Sequence, residues 1–365
     1  MAVKIIRQPN LIALIGAPTS AAAHGPGNEK APAALRAAGL VERLNAAGFM
    51  VNDLGDVEMQ LFQQDDESPR ARNLDGVVRA LNALRPKVEE AAKSGALPVV
   101  LGGDCSIALA TVAAVRRYYR HVGLFYMDRH PDLNVPATTP SGRLAGMVLA
   151  HVVGRGAPEL VRFWNEPPLV REPDVSLFGC EDYDTYERDL LRTSAIRHFS
   201  ANEILRCGVA RSAQSAVEHI HSDTRHFVLH LDADVISGEE FSASEFTSPG
   251  GLRLSDVREA LEIIIRQKNL LAMELTAYNP DRDPDGSAAK MLVELIVSTL
   301  AVRLAALTAP PAVAEQAPAP AAVEVIATEM PAAEPVASET PAPAAATVPE
   351  TDAANLVPDD GTSSS

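Results

Sequence analysis

Between residues 10 and 307 the chain alternates two patterns of apolar and polar positions. Short apolar runs have the length and bounding turns of buried strands: "LIALIG" (11–16), "FMVNDLGD" (49–56), "LPVVLGGD" (97–104), "HVGLFYMDRH" (121–130), "VSLFGC" (175–180), "FVLHLDAD" (227–234) and "LLAMEL" (270–275). Between them, over 31–46, 75–93, 107–118, 255–267 and 287–307, the spacing of apolar residues is that of amphipathic helices. Strands that alternate with helices predict an α/β fold with a central parallel sheet flanked by helices. No linker interrupts residues 1–307, so a single domain is expected there. In open parallel sheets ligands gather at the carboxyl ends of strands, and the polar clusters of this chain follow its strand runs.

Composition changes the picture only at the end of the chain. No Lys or Arg follows Arg303, whereas nine acidic residues do, and removing those nine from the net charge of −16 leaves −7 for the rest. Thr308 to Ser365 is rich in Ala, Pro, Glu and Thr and poor in large apolar residues, so it cannot offset the entropy of ordering itself. Residues 308–365 are therefore expected to be a disordered acidic tail, a solubilising extension rather than a partner-binding arm. Such a tail argues against nucleic-acid binding. The three cysteines, Cys105, Cys180 and Cys207, are an odd number without a C-x-x-C pair, which disfavours a disulfide framework and suits a reducing cytoplasm. The N-terminal apolar stretch is short, and no run approaches the roughly 18 apolar residues of a membrane span. Neither an export signal nor a membrane segment is expected.

The chemistry concentrates at three strand ends. In "GLFYMDRHPDLN" an apolar run leads into Asp128, His130 and Asp132, spaced by two, so that an extended backbone points all three to one face. Taken singly, each could be a helix cap or a hydrogen-bonded histidine. A second run, "FVLHLDAD", repeats the pattern with Asp232 and Asp234. Acids that end neighbouring buried strands repel one another unless a positive charge lies between them. Four carboxylates and one imidazole thus imply divalent cations, with Mn²⁺ the best suited to an oxygen-rich set. The run "VVLGGDCS" ends beside them and offers Asp104 or Cys105.

In this order, "GGDCS", "DRHPDLN" and "DAD" resemble the motifs of the arginase, or ureohydrolase, family, whose usual forms are Gly-Gly-Asp-His-Ser, Asp-Ala-His-x-Asp and Asp-x-Asp. The resemblance extends over most of residues 10–305 and implies the three-layer arginase-like fold. It also implies two Mn²⁺ ions per subunit, held by Cys105, Asp128, His130, Asp132, Asp232 and Asp234. Asn134, Ser141, Asp184 and Glu187 match positions that hold the α-amino and α-carboxyl groups of a guanidino amino acid. Glu274, in "MELTAYNP", matches the acid that faces the guanidinium, and Asp132 matches the ligand placed to carry a proton. The implied reaction is hydrolysis of a guanidino C–N bond by a metal-bridged hydroxide. Family members are commonly trimers or hexamers, but their supporting C-terminal region is replaced here by the tail, which leaves a monomer open.

Two positions depart from the family pattern. Cys105 stands where the first ligand is ordinarily His, and in "TTPSGRLAGM" Ala145 stands where the family has a proton-relay histidine, while Arg143 replaces a usual Asn. Loss of a general acid typically costs about 10²- to 10⁴-fold. A decayed, metal-free binding protein, an arginase acting weakly on L-arginine, and a hydrolase for a less demanding substrate all accommodate these changes. The third is favoured. A thiolate adds negative charge to the ligand set, and an N-hydroxyguanidine is less basic than a guanidine and carries its own N–OH. The double change is similar to the branch of the family that cleaves Nω-hydroxy-L-arginine to hydroxyurea and L-ornithine in D-cycloserine biosynthesis.

The remaining polar residues receive lesser roles. His230, where the family has Ser or Thr, is expected to support the cluster by hydrogen bonding rather than join it. Asp104 is expected to support its loop or a ligand, and His24, in a Gly-Pro loop, is assigned no role. Cys180 and Cys207 are read as buried thiols, and Arg143 as either a surface cation, the reading slightly favoured, or a new contact to the substrate carboxylate.

Overall fold

The computed structural model describes residues 5–163, 166–221 and 226–309. Eight strands form one sheet: β1 (Leu11–Ala17), β2 (Met50–Asp56), β3 (Leu97–Gly102), β4 (Gly123–Met127), β5 (Val175–Phe178), β6 (Arg197–Phe199), β7 (Phe227–Asp232) and β8 (Leu270–Thr276). Their order is β2-β1-β3-β8-β7-β4-β5-β6, and every pairing is parallel. All seven expected strands form. The eighth, β6, escapes the sequence pattern because it is three residues long at the sheet edge and only Phe199 is buried.

The central strands are buried on both faces and read as continuous apolar runs, the expected character of a parallel sheet covered on two sides. Alternate side chains feed two cores. Phe125, Phe227 and Leu229 face one, while Leu124, Tyr126 and Val228 face the other. The helix expected over 31–46 is two, Ala31–Ala37 and Leu40–Ala46, because Gly39 takes a left-handed φ of 86° between them. The other expected helices run Leu74–Lys93, Ile107–Arg116, Leu254–Ile265 and Ser287–Thr308, close to their expected bounds, and unexpected ones include Thr185–Thr193 and Val209–His221.

The last of these corrects the membrane argument in one respect, since Ser287–Thr308 is long and apolar enough to cross a bilayer. Here its apolar residues Leu292, Ile296 and Leu300 are packed in the core, and Arg303 donates to the carbonyls of Ile265 and Gln267. Its hydropathy is that of a core helix. The helix ends one residue past the expected domain boundary, and the expected tail beyond Ala309 lies outside the described residues.

Sheet order places the ends of β3, β8, β7 and β4 side by side, and β5 lies next to β4. The turn after β3 is drawn tightly onto the loop after β1. A Cβ on Gly103 would lie 1.9 Å from the Thr19 carbonyl oxygen, and Asp104 N–H donates to that oxygen at 3.0 Å. Only glycine permits this approach, which sets Cys105 at the rim of the sheet.

Candidate metal centre

A cleft of about 320 Å³ opens at the carboxyl ends of these strands. Cys105, Asp128, His130, Asp132, Asn134, Ser141, Asp184, Glu187, Asp232 and Asp234 all line it. One group of ligand atoms comes from Cys105, Asp128, His230 and Asp232, and a second from Asp128, His130 and Asp234. Within each group the atoms lie within 4.8 Å of one another, and Asp128 is common to both. The structure therefore joins five of the six expected ligands in two adjoining sets and adds His230.

Local hydrogen bonds hold the ligands in place. Cys105 Sγ–H donates to Asp232 Oδ2 at 2.9 Å. The backbone N–H of His130 donates to Asp128 Oδ1 at 2.6 Å, and that of Asp234 to Asp232 Oδ1 at 2.8 Å. His130 Nδ1 is 3.3 Å from Asp234 Oδ2. Asp104 braces its loop as expected, accepting from Ala22 N–H at 3.1 Å and Ser106 N–H at 3.0 Å. Asp132, the sixth expected ligand, belongs to neither group. Its Oδ2 accepts a 2.5 Å bond from the Tyr126 hydroxyl, and its φ is 49°.

Asp132 and Ala277, with φ 62°, are two of only four non-glycine residues at positive φ among the described residues, and both line the cleft. Such conformations cost free energy and cluster where a site constrains the chain.

Electrostatics mark the cluster as built for positive charge. Burial, and then neighbouring carboxylates, push the carboxyls of Asp128, Asp132 and Asp232 upward. Burial, followed by Asp232, Asp132 and Asp128, likewise raises the Cys105 thiol. Burial alone would lower His130, but Asp234 and Asp128 raise it to about 12. Asp128 Oδ2 and Asp234 Oδ1 are buried without a hydrogen-bond partner. Orphaned oxygens amid mutually repelling acids fit a pair of divalent cations, whose charge would satisfy both defects.

The expected substrate residues form a rim. Asp184 caps the helix Thr185–Thr193 in a reciprocal capping box with Glu187 and accepts from Asn134 Nδ2 at 2.9 Å. Glu187 also accepts from Leu133 N–H at 3.1 Å, which ties the β4 loop to this helix.

Glu274 is the principal correction. It is fully buried inside β8, away from the cleft lining, and its Oε1 lies 2.7 Å from His230 Nδ1. In register it pairs with His230, while Thr276 pairs with Asp232, so Glu274 sits one side-chain layer below the ligands. Ala277 instead reaches the cleft from this strand.

Two lesser expectations also change. Arg143 is buried, donating to the Gln63 carbonyl and Gln64 Oε1 at 2.8 Å each and lying 4.4 Å over the Phe62 ring. Cys180 is buried, but Cys207 is exposed.

Some lining residues were not singled out from the sequence. Phe246 packs edge-on against His24 and His130, with ring centroids 4.8 and 5.5 Å away. Arg129 lies between two ligands in sequence yet points elsewhere, donating to Asp182 Oδ2 at 2.6 Å and to the carbonyls of Pro249 and Gly250. Tyr126 was legible in principle, since it precedes Asp128 by two on an extended run and must share its face.

An α/β sheet carrying two adjoining carboxylate-rich ligand groups at its strand ends defines a binuclear metallohydrolase site. The sequence profile of the arginase family matches residues 10–301. Arginase from Brevibacillus brevis is 32% identical over 293 residues, covering 80% of this chain and 98% of its own. The native structure of Bacillus caldovelox arginase superposes with a TM-score of 0.73 at 29% identity, over 80% of this chain and 98% of that one. The Entamoeba histolytica arginase complex with L-ornithine gives 0.72 at 25% identity, over 81% and 99%. The chain belongs to the arginase family, whose members are binuclear metal-dependent hydrolases of amidino C–N bonds.

Proposed function

We propose that this protein hydrolyses Nω-hydroxy-L-arginine to hydroxyurea and L-ornithine. Water adds to the guanidino carbon, the bond from that carbon to the ornithine side-chain nitrogen breaks, and the nitrogen leaves protonated. The observation that carries the reading is the cleft wall, where Ala145 and Ala277 stand beside the ligand groups. No acid from β8 meets the guanidino group, because Glu274 is buried below. A guanidinium is a permanent cation that loses much of its hydration on burial, so it needs a partner. An N-hydroxyguanidine is far less basic and enters such a site at lower cost.

Asp128, His130 and Asp234 suit one cation, for which Mn²⁺ is proposed, and Cys105, Asp128 and Asp232 suit the other. When bound, the cations supply Lewis-acid activation of water and of the substrate. Asp132, pushed upward by burial and by Asp128 and held by Tyr126, is placed to hold a proton over the cleft. Asn134, Ser141 and Asp184 line the rim and offer polar groups to an amino-acid head. A cytoplasmic location belongs to the same proposal.

The test is a product assay with added Mn²⁺. Hydroxyurea and ornithine are expected from Nω-hydroxy-L-arginine, with little urea from L-arginine. The second reading, an arginase, is favoured by the relatives, which are arginases at 32% and 30% identity, and equal or faster turnover of L-arginine would establish it instead. Protein that binds no stoichiometric metal and turns over neither compound would refute both.

A further inference from the structure

His230 is the one member of the two ligand groups that the resemblance leaves without a role. It lies in β7, two residues before Asp232, and is fully buried. Its ring stacks on Tyr126 at 4.1 Å and 6°, its cross-strand neighbour in register. Nδ1 is 2.7 Å from Glu274 Oε1, and Nε2 is 3.9 Å from Asp128 Oδ2.

A carboxylate that accepts from Nδ1–H keeps the proton there and leaves a lone pair on Nε2, the arrangement by which histidine ligands are oriented. Thr276 Oγ1 lies 3.4 Å from Nε2. It stands as close to Leu231 O (3.4 Å) and Asp232 Oδ2 (3.3 Å), so its single proton leaves Nε2 uncommitted. A thiol side chain is also shorter than an imidazole, and Cys105 Sγ lies within 4.8 Å of a His230 ring nitrogen, so one cation could be held by both.

We propose that His230 Nε2 is a ligand of the cation assigned to Cys105, which would therefore have a sulfur, nitrogen and two-oxygen donor set from Cys105, His230, Asp128 and Asp232. The imidazole absent at position 105 is supplied from the neighbouring layer, and Glu274 is its positioning residue. The inference rests on the metallohydrolase reading but not on the choice of substrate.

Cobalt is the probe. Metal-free protein is titrated with Co²⁺ in the absence of substrate and followed by the thiolate-to-cobalt charge-transfer band and by X-ray absorption. Loaded wild-type protein is expected to show one sulfur and two imidazole ligands for every two cobalt ions, from Cys105, His130 and His230. In His230→Ala the thiolate band is expected to persist with a midpoint at least about 10-fold weaker, the lower end of what loss of even an outer hydrogen-bonding partner costs. Glu274→Gln is expected to weaken the same midpoint without changing the imidazole count.

Loaded wild-type protein with one imidazole for two cobalt ions would overturn the proposal whether or not any variant folds. A missing thiolate band would overturn it as well. Failure to turn over Nω-hydroxy-L-arginine with two imidazoles present would refute the substrate reading alone.

Discussion

Removal of the cations should reverse the sign of the protein's pH dependence. In the metal-free protein Asp128, Asp132 and Asp232 are buried, and burial together with mutual repulsion raises their carboxyls. At 4.8 Å, the distance within which all ligand atoms of a group lie, two like charges repel by about 3.5 kcal/mol at an effective dielectric of about 20. Folded values above the unfolded ones mean that the folded state retains protons the unfolded state releases. The contribution of these three carboxyls to the stability of the metal-free protein is then greatest below about pH 4, the unfolded carboxyl value, and falls as pH rises through the raised folded values. His130, raised to about 12 against burial by Asp234 and Asp128, continues the decline above its unfolded value of about 6.5. With cations bound the slope inverts, because protons compete for the ligands and the complex tightens as pH rises. The assay is the thermal midpoint of chelator-treated and Mn²⁺-loaded protein from pH 5 to 8. One repulsion of this size shifts the midpoint by roughly 6 °C for a domain of this length, so the gap between the two forms should widen by at least that amount. A gap that stays constant or narrows as pH rises would refute a cation-dependent carboxylate cluster.

Gly103→Ala should abolish metal binding while leaving the sheet, because the new Cβ would meet the Thr19 carbonyl oxygen at 1.9 Å and displace the turn that carries Cys105; circular dichroism and metal analysis read the two effects separately. His151 is buried, accepts from Ala157 N–H at 3.0 Å and is lowered to about 4 by burial, so its contribution is complete above about pH 6.5 and is lost as pH falls through 4. His151→Gln should therefore shrink the difference in urea stability between pH 7 and pH 4.5 by about 2–3 kcal/mol relative to wild type. Arg129→Ala removes the bonds to Asp182, Pro249 and Gly250 and should cost about 2 kcal/mol, with faster proteolysis within 244–251 and no loss of bound metal.

The sheet was legible because its strands are buried on both faces and long enough to register as apolar runs. β6, three residues with one buried side chain, carries no such signal. The helix break at Gly39 was visible only as a glycine, since its left-handed φ is a property of the packed turn. Arg143 was misread because its partners, Phe62, Gln63 and Gln64, come from a loop some eighty residues away that has no pattern of its own. The apolar helix Ser287–Thr308 shows the same limit, because packing rather than composition decides whether such a helix lies in a core.

The site divides along a single physical line, the level at which each strand ends. Period-two spacing shows which side chains share a face, so Asp128, Asp232 and Asp234 were recoverable from sequence. It does not show how far a strand continues, and β8 runs two residues past Glu274 before the chain turns into the cleft at Ala277. The same one-layer offset separates His230 from Asp232 and Tyr126 from Asp128, which makes Tyr126, His230 and Glu274 a buried polar layer beneath the carboxylates. Such a layer is costly to bury unless its groups hold something in place. Tyr126 holds Asp132 by its 2.5 Å bond, which reaches toward the cleft from below, and Glu274 holds His230 at 2.7 Å within the layer. The departure at Cys105 is thus inseparable from the layer underneath it. Cys105 at the rim and His230 one layer down offer their ligand atoms to the same group, so a cation held there would draw on both layers.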